Sequence, residues 1–459
     1  MKYKKENVVN AIYTNNGINQ NPYIDAMPEI LSQNQFLNEI ASFPIYGDLS
    51  HLSKEDRRKF LPQLNSFFYP FDYMYYIYDM LYRAIIENYS SKNVIETIRQ
   101  INRLRGTLDE YDQMVNFSTQ SYSGAILGVP GIGKSSTIKR SLNLIPQVII
   151  HTEYNQIKLY KKQITYLCVE CPCDCSVKTL AANIILAIDQ AIDSNYFEEV
   201  IKNKRLSSAS ALAMKVKIAC LNHRVGLLVI DEIQNAVITA EKTKQLRPLV
   251  KFLVELTNES CVSICFSGTM QAEQIFCSQE HLKRRTRGYR LLPLKPDKTY
   301  FDFITKLWDY QILLKQKPLK EDIANCIYNY SAGIPAYIVK IFMEAQSYAI
   351  MQGKESLNIN IIKNTISNLN IAVNRTYSGG QSISDFSIHS DTNYCEEIGN
   401  NENYEIKKEQ SEFIYKKKGR PTGKREEEDL IELYKKTENI DEFIKRTKEL
   451  QILEYYEGE

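Results

Sequence analysis

Hydrophobic side chains recur at helical spacing through the first 100 residues, and the segment FFYPFDYMYYIYDMLYRAII (67–86) is one example. Phenylalanine, tyrosine, methionine and leucine follow one another there at positions that share a helix face. An aromatic stripe of this density is typical of a packed core rather than of a ligand site. The pattern therefore predicts a mostly helical N-terminal region over residues 1–100.

From about residue 120 the pattern changes to short β-branched runs separated by helical stretches. Apolar strands that alternate with helices indicate an α/β fold, with a parallel sheet covered by helices on both faces. We therefore predict a core over residues 101–297. The runs that predict its strands are GAILG (124–128), QVIIH (147–151), ITYLCVEC (164–171), GLLVID (226–231), SICFSG (263–268) and YRLLPL (289–294).

The rest of the chain divides into three parts. Residues 298–372 return to a helical pattern, broken at AGIPAY (332–337), and predict a helical C-terminal lid. Residues 373–412 are rich in serine, asparagine, glycine and acidic residues with little periodicity, which is typical of a disordered linker. Residues 413–459 join a basic cluster, YKKKGRPTGKR (415–425), to a predicted helical tail.

Composition narrows the class of protein. A chain of 459 residues with 44% hydrophobic and 24% charged residues is typical of soluble, multidomain globular proteins. The formal net charge is only +2, so any surface that binds nucleic acid must be local. The sequence has no apparent signal peptide and no run of the roughly 18 apolar residues that a membrane span needs. We therefore expect a cytoplasmic location and no membrane partner.

The octapeptide GVPGIGKS (128–135) fits the phosphate-binding pattern G-x-x-x-x-G-K-[ST], with an apolar strand before it and a helix-compatible segment after it. Its glycines let backbone amides wrap around phosphate oxygens, and the helix N-terminus adds partial positive charge. Lys134 would reach the β- and γ-phosphates, and Ser135 would bind Mg²⁺. The pattern predicts ATP and Mg²⁺ as cofactors, with the nucleotide held by Gly128, Val129, Pro130, Gly131, Ile132, Gly133, Lys134, Ser135 and Ser136.

The segment LLVIDE (227–232) reads as a buried strand that ends in two carboxylates. Asp231 would hold Mg²⁺ through water, and Glu232 would orient and polarise the attacking water. Phosphoryl transfer needs mainly positioning and charge stabilisation, so this small set of groups suffices. The two motifs together predict a Mg²⁺-dependent ATPase that converts ATP to ADP and phosphate.

Two further segments carry candidate site residues. CVSICFSGT (261–269) reads as a strand ending in hydroxyls, and its end would lie beside the γ-phosphate if the strand sits between the two motif strands. Thr269 is a better candidate than Ser267 for sensing that phosphate; a turn that simply favours these residue types is the alternative. In HLKRRTRGYRLLPL (281–294), an arginine supplied to a neighbouring subunit would stabilise transition-state charge, unless the cluster is a solvated or DNA-facing basic surface. The candidates in that cluster are Arg284 and Arg285, with Arg287 beside them.

These motifs, together with the helical lid, resemble those of AAA+ ATPases with a P-loop NTPase core. The segment between the two nucleotide motifs carries a further pattern at His151, Tyr154, Gln163, Pro172, Asp174, Ser176, Lys178 and Leu180. Three other segments accompany it: NPYIDAMPEIL (21–31), FPIY (43–46) and DEIQNA (231–236). On these residues the chain resembles the TnsC/TniB family, the ATPase regulators of target-selecting bacterial transposons, and the likeness covers roughly residues 20–345.

The sequence departs from the resemblance at two places. A turn that usually carries glycine has Cys175 here, and the lid motif GIPAYIVK (333–340) lacks the arginine with which many AAA+ proteins contact the γ-phosphate. Lys340 is a candidate substitute for that arginine. The four cysteines within residues 168–175 suggest zinc, but their C-x-C-x-C spacing without a second distant pair is poor for a tetrahedral site. The resemblance accounts for the segment without metal.

The resemblance implies a bacterial protein that assembles on duplex DNA as an ATP-bound ring or filament. It also implies partners: a target selector of the TnsD/TniQ type and transposase subunits of the TnsA/TnsB type. Phosphate contacts add up around an oligomer, so a net charge of +2 is compatible with DNA binding. Lys178 is the preferred DNA contact and Thr179 a weaker one, the alternative being a solvated lysine at a helix start. The basic cluster at 415–425 suggests either a minor-groove hook or a charged linker.

Two other functions remain open at the level of sequence. One is a nucleotide-switched signalling or defence ATPase that acts only through protein partners. The other is an ATPase that resembles helicase loaders. A protein that binds ATP without hydrolysing it is disfavoured by Glu232.

Overall fold

The computed structural model describes residues 7–13, 21–90, 122–198, 208–236, 246–260, 262–278, 286–369 and 383–387. The chain divides into two units, Met1–Asn401 and Glu402–Glu459, and all described residues belong to the first. The basic cluster at 415–425 and the predicted C-terminal tail lie outside the described residues.

The described strands lie in two sheets. In chain order they are β1 (Val8–Asn10), β2 (Ser123–Gly128), β3 (Val148–Tyr154), β4 (Ile157–Ile164), β5 (Tyr166–Glu170), β6 (Leu227–Asp231), β7 (Ser263–Gly268), β8 (Thr286–Leu291) and β9 (Ile383–Ser387). The larger sheet has the order β5-β6-β7-β2-β8-β9, and the smaller one has the order β1-β3-β4.

The described helices cover both faces of the larger sheet and build the lid. They are α1 (Pro22–Asp25), α2 (Gln33–Ile40), α3 (Lys54–Arg58), α4 (Tyr73–Ser90), α5 (Lys134–Leu142), α6 (Val177–Ile192), α7 (Ala209–Asn222), α8 (Leu246–Glu259), α9 (Glu273–Ser278), α10 (Lys298–Trp308), α11 (Glu321–Ser331), α12 (Pro335–Met351) and α13 (Ile359–Asn368). Short 3₁₀ helices span Leu61–Ser66 and Met270–Ala272. No described helix is long and apolar enough to cross a membrane.

Helix starts follow from local sequence. Polar side chains at the N-cap accept hydrogen bonds from the first turns of six helices, α1 with Asn21, α3 with Ser53 and the four below, which satisfies amide groups that have no partner inside the helix. Helix α12 begins instead with a proline, whose fixed φ suits a first helical position and whose missing N–H costs nothing there. The capping residues are Ser176 for α6, Ser208 for α7, Asp297 for α10 and Asn358 for α13.

The order of the larger sheet brings the two nucleotide motifs together. Strand β7 lies between β6 and β2 and pairs in parallel with both, as the sequence analysis required for the SGT strand. Strand β2 also pairs in parallel with β8. The carboxyl ends of parallel strands meet at one edge of a sheet, where open α/β folds bind ligands. The loop after β2 and the acidic end of β6 therefore lie at the same edge.

Each face of this sheet carries its own hydrophobic core. Successive strand residues point to opposite faces, so that Leu228 and Ile230 of β6 join one core while Leu227 and Val229 join the other. The first core is completed by helices α6, α7 and α8. The second is shared by the sheet and by the described parts of the N-terminal region and the lid, which form one continuous apolar cluster with it.

A buried ion pair joins the N-terminal region to the lid. Arg57 in α3 donates from Nη1 to Glu355 Oε2 at 2.8 Å and from Nη2 to Oε1 at 2.6 Å. Arg57 is 2% exposed and Glu355, in the turn after α12, is 8% exposed. The backbone of Lys315 donates to Glu355 O at 3.0 Å, which fixes the same turn against the loop before α11.

The predicted strand QVIIH does not join the larger sheet. It forms β3, which pairs in parallel with β1 and antiparallel with β4. The sequence IKLYKKQI of β4 does not read as an apolar strand, because three of its eight residues are exposed lysines, Lys158, Lys161 and Lys162. The hairpin turn is made by Asn155 and Gln156, both with positive φ, as two-residue hairpin turns require. QVIIH is a strand, as predicted, but its place in the larger sheet was predicted wrongly. We inferred that place from the alternation of strands and helices along the chain, whereas this strand belongs to a hairpin.

Residues 373–412 are predicted to be a disordered linker, but one short part of this segment is a strand. Residues Ile383–Ser387 form β9, which pairs antiparallel with β8 at the sheet edge. An edge strand is held by backbone hydrogen bonds on one side, so its sequence need not be apolar. The N-terminal region likewise contains a strand, β1, that its helical pattern does not predict.

Candidate nucleotide site

The loop between β2 and α5 has the backbone of a phosphate-binding loop. Gly131 and Gly133 have φ of 82° and 101°, values that glycine adopts without steric cost. Gly133 is the N-cap of α5, which begins at Lys134. The first amides of α5 therefore have no partner within the helix and face the loop, where phosphate oxygens are the natural acceptors.

Lys134 crosses the loop and lies close to the acidic strand end. Its Nζ donates to Gly128 O at 2.8 Å and to Val129 O at 3.1 Å. Burial lowers the pKa of the Lys134 ammonium, and the negative charges of Asp231 and Glu232 oppose that shift. The ammonium is thus bound by the loop carbonyls and experiences the negative charge of both carboxylates.

Asp231 and Glu232 leave β6 in different directions. Asp231 is half-buried, and its Oδ1 accepts from the Glu232 backbone N–H at 3.0 Å. Glu232 is exposed and has φ of 57°, a left-handed conformation that is uncommon for a residue with a side chain. This turn separates the two carboxylates, so that one stays at the strand end and the other projects from it.

The end of β7 supplies hydroxyls beside these carboxylates. Thr269 lines the same cavity as the loop and Glu232, whereas Ser267 is fully buried and does not. The hydroxyls of both residues are buried and make no hydrogen bond to the described part of the chain. Of the two candidates, the geometry favours Thr269.

Gln234 is a site residue that the sequence analysis missed. Its Oε1 accepts from the Thr269 backbone N–H at 3.0 Å, and its Nε2 donates to the Glu232 carboxylate. It lines the same cavity. The residue lies in the quoted segment DEIQNA, but an amide has no acid–base chemistry of its own, so only its contacts reveal its place in the site.

The loop opens into a cavity of about 790 Å³ with walls from three parts of the chain. Loop residues, Glu232, Gln234 and Thr269 form its polar end. The N-terminal region contributes an aromatic wall, and the lid closes the other side with α12. The aromatic wall contains Phe67, Phe68, Tyr69 and Phe71, and the α12 side contains Val339, Lys340 and Met343. A polar end and an apolar end suit a molecule with a charged and a flat aromatic part.

The lid contacts the loop directly. The Ala336 backbone N–H donates to Gly131 O at 3.2 Å. A Cβ added at Gly131 would lie 3.1 Å from Ala336 Cβ and 3.2 Å from Ile334 Cγ2, so the start of α12 packs tightly on the loop. Lys340, one turn further along α12, lines the cavity where the resemblance expects an arginine.

The arginine cluster is only partly visible. Arg284 and Arg285 lie outside the described residues, and Arg287 is seen only through its place in β8. Arg290 in β8 is 8% exposed and forms an ion pair with Glu273 at the start of α9. Arg290 is therefore a structural member of a sequence run that otherwise reads as a basic surface.

The two DNA candidates lie at the start of α6, outside the nucleotide cavity. Lys178 is exposed. The Thr179 hydroxyl donates to Asp174 Oδ2 at 2.9 Å, and the Ser176 N–H donates to Asp174 Oδ1 at 3.0 Å. These contacts fix the start of α6, where Lys178 lies. In the turn before the helix Cys175 has φ of 51°, which explains why glycine is usual at its position.

The family positions His151, Tyr154 and Gln163 hold the β3–β4 hairpin against the N-terminal segment. Gln163 donates from Nε2 to Tyr23 O at 3.0 Å, so its Oε1 accepts from His151 Nε2 at 2.7 Å. His151 Nδ1 then accepts from the Tyr13 hydroxyl at 2.8 Å. Burial lowers the pKa of His151, in keeping with a neutral ring. This network stabilises the fold.

The cysteine cluster is divided by burial. Cys171 and Cys175 are buried, whereas Cys168 and Cys173 are exposed. Burial raises the pKa of the Cys171 thiol to about 12. Within the described ranges no three histidine, cysteine or acidic side chains gather as metal ligands.

With this geometry in place, comparison with known families gives one decisive match. Residues 118–276 match the family model described as an AAA domain. The chain contains an AAA-type domain. The match spans the phosphate-binding loop, the acidic strand end and Thr269. No curated protein matches the chain.

Several solved structures are similar to parts of this chain at low identity. The Aeropyrum pernix ORC2 protein, determined as ADPNP–ADP complexes, is 12% identical over 61% of this chain and 68% of its own, with a TM-score of 0.36. The Drosophila ORC bound to DNA is 13% identical over 75% and 71%, with a TM-score of 0.39. The FIGL-1 AAA domain is 11% identical over 60% and 79%, with a TM-score of 0.32. At these scores the similarities do not extend the assignment beyond the AAA domain.

The residues at the polar end of the cavity fit ATP and Mg²⁺. A loop of left-handed glycines and the start of α5 present amides to phosphate, and Lys134 adds a cation. The Ser135 hydroxyl and the Asp231 carboxylate are oxygen ligands of the kind Mg²⁺ uses when substrate phosphates complete its shell. Ser135 follows Lys134 in the chain, and the negative charge of Asp231 acts on the Lys134 ammonium.

Proposed function

We propose that the protein is an ATP-dependent, DNA-binding regulator of transposition in the bacterial cytoplasm. It hydrolyses ATP at the carboxyl edge of its sheet, and hydrolysis limits the lifetime of an assembly on duplex DNA. The observation that supports the enzymatic part is the meeting of three segments distant in sequence. The glycine loop, the Asp231–Glu232 pair and Thr269 all reach the same edge, and the loop, Glu232 and Thr269 line one cavity.

In this proposal each residue has one task. The loop amides and Lys134 bind the phosphates, and the aromatic wall holds the base. Glu232 orients the attacking water and accepts a hydrogen bond from it as a general base. The Thr269 hydroxyl contacts the γ-phosphate or that water. Bound through Ser135 and Asp231, Mg²⁺ would neutralise charge on the phosphates. Arg284 or Arg285 would act on the nucleotide of a neighbouring subunit, which ties hydrolysis to assembly.

The DNA-binding part of the proposal rests on the turn before α6. The Asp174 carboxylate accepts hydrogen bonds from Ser176 and Thr179, and the exposed Lys178 lies beside them in the first turn of α6. A fixed turn with one exposed ammonium suits a contact to the phosphate backbone that is repeated by every subunit of a ring or filament. The partners of that assembly are transposase subunits of the TnsA/TnsB type and a target selector of the TnsD/TniQ type.

Electron microscopy of the protein with duplex DNA and a non-hydrolysable ATP analogue tests this function. We expect rings or filaments around DNA that need both ligands. Particles without DNA in every condition would contradict the transposition role and favour an ATPase that acts only through proteins. DNA-bound particles that recruit a replicative helicase, but no transposase, would instead favour a loader.

A further inference from the structure

Gln234 bridges the two strand ends that carry the proposed chemistry. The Thr269 backbone N–H can only donate, so the Gln234 atom 3.0 Å from it is the acceptor Oε1. The other end of the amide, Nε2, is then the donor that faces the Glu232 carboxylate. The backbone N–H of the residue after β7 thus fixes the orientation of the amide. The amide in turn fixes the position of the Glu232 carboxylate.

The surrounding backbone is shaped to this bridge. A Cβ added at Gly268 would lie 2.6 Å from Gln234 Oε1, so the close approach of the amide depends on glycine at the residue before Thr269. The Ile233 N–H donates to Ser267 O at 3.0 Å, which ties the two strand ends beside the amide. Glu232 takes a left-handed conformation, with φ of 57°, two residues before Gln234.

We infer that Gln234 is a positioning residue for ATP hydrolysis, which sets the Glu232 carboxylate relative to the end of the strand that carries Thr269. This inference rests on the proposed function, because it assigns a role in that reaction. A carboxylate on an exposed turn samples several rotamers, and a water-activating group acts only in the one that faces the water. The amide holds one of them. It also makes the position of Glu232 depend on the position of β7, so a shift at Thr269 on phosphate contact is passed to Glu232.

Two substitutions distinguish the hydrogen bond that the Gln234 amide accepts from the one that it donates. Gln234→Met keeps the length and much of the volume of the side chain but removes both hydrogen bonds. Gln234→Glu keeps an acceptor for the Thr269 N–H, loses the donor to Glu232 and places a second carboxylate beside it. Gln346→Met is the matched control, since Gln346 is a buried glutamine of α12 whose Oε1 accepts from the Ile312 N–H at 2.7 Å and which does not line the nucleotide cavity.

The measurement is steady-state ATP hydrolysis, with equilibrium binding of a fluorescent ATP analogue to each variant. For Gln234→Met we expect kcat to fall about tenfold or more while KM and analogue affinity change by less than about threefold, because positioning acts on the reacting state. For Gln234→Glu we expect a similar loss of kcat with little change in KM, because the donor to the Glu232 carboxylate is lost while the acceptor for the Thr269 N–H is kept. Gln346→Met should keep the wild-type kcat per folded molecule.

The outcomes distinguish this inference from the proposed function. If the wild-type protein does not hydrolyse ATP, the proposed function itself fails. If the wild type hydrolyses ATP and Glu232→Gln does not, but Gln234→Met matches the wild type, the role of Gln234 is overturned alone. A parallel loss of kcat, analogue binding and thermal stability in Gln234→Met would mean that Gln234 only supports the fold, which also overturns it.

Discussion

Removing Arg57 should destabilise the protein severely, because it leaves a buried carboxylate without its cation. Arg57 donates two hydrogen bonds to Glu355, at 2.8 and 2.6 Å, and the two residues are 2% and 8% exposed. Breaking a buried pair by removing one partner costs about 3–5 kcal/mol, a large share of a typical unfolding free energy of about 5–15 kcal/mol. We therefore expect Arg57→Met to lower the free energy of unfolding by about 3–5 kcal/mol.

Denaturant unfolding, followed by circular dichroism, measures this loss. The double variant Arg57→Met, Glu355→Gln should recover part of it, because a neutral amide is less costly to bury than an unpaired charge. The coupling between the two sites should be about 1–3 kcal/mol. The control is Lys59→Met, which breaks only an exposed pair with Asp56 and should leave the midpoint unchanged. A loss below about 1 kcal/mol for Arg57→Met would refute the reasoning, since it would match an exposed pair.

The same pair gives a pH dependence. The hydrogen bonds from Arg57 lower the pKa of Glu355 below its ordinary value. A carboxyl with a lowered folded-state pKa stabilises the fold above its unfolded-state pKa of about 4.3, and this stabilisation is lost as pH falls through the folded value. The difference in unfolding free energy between wild type and Glu355→Gln should therefore shrink as the solution is acidified below about pH 4.3.

Three further predictions follow from the site. Lys134→Ala should weaken binding of ATP about tenfold or more, measured by calorimetry, because the cation held over the loop is lost; unchanged affinity would contradict its role. Gly131→Ala should lower affinity for ATP and raise the proteolytic sensitivity of the lid, since φ is 82° and a Cβ would press on Ala336 and Ile334; normal affinity would argue against a tight contact. Lys178→Ala should reduce affinity for duplex DNA and the slope of its salt dependence by about one, whereas an unchanged slope would remove Lys178 from the interface.

The sequence predicted those parts of the site whose chemistry is written in local patterns. The glycine loop and the acidic strand end are each one contiguous stretch of sequence, and the proposed function gives each residue type in them a direct task at the phosphates. Thr269 lies beside them only if its strand is between the two motif strands. The sequence does not determine that strand order. The sheet meets that condition, with β7 between β6 and β2.

Other features depend on contacts between distant residues, which no local pattern shows. Gln234 matters because Thr269 lies 35 positions away in sequence and next to it in space. Strand β3 reads like any buried strand, and only its pairing with β1 and β4 removes it from the larger sheet. Arg290 reads as part of a basic run, but Glu273 neutralises it in the interior.

The central claim is that this edge of the sheet hydrolyses ATP through Glu232. The most direct test compares wild type and Glu232→Gln in a single-turnover assay with radiolabelled ATP, in which bound nucleotide is separated and identified. The claim predicts that the wild type converts bound ATP to ADP, whereas Glu232→Gln binds ATP equally well and hydrolyses it about 100-fold or more slowly, the usual scale for loss of a general base. Equal hydrolysis by the two proteins would contradict it.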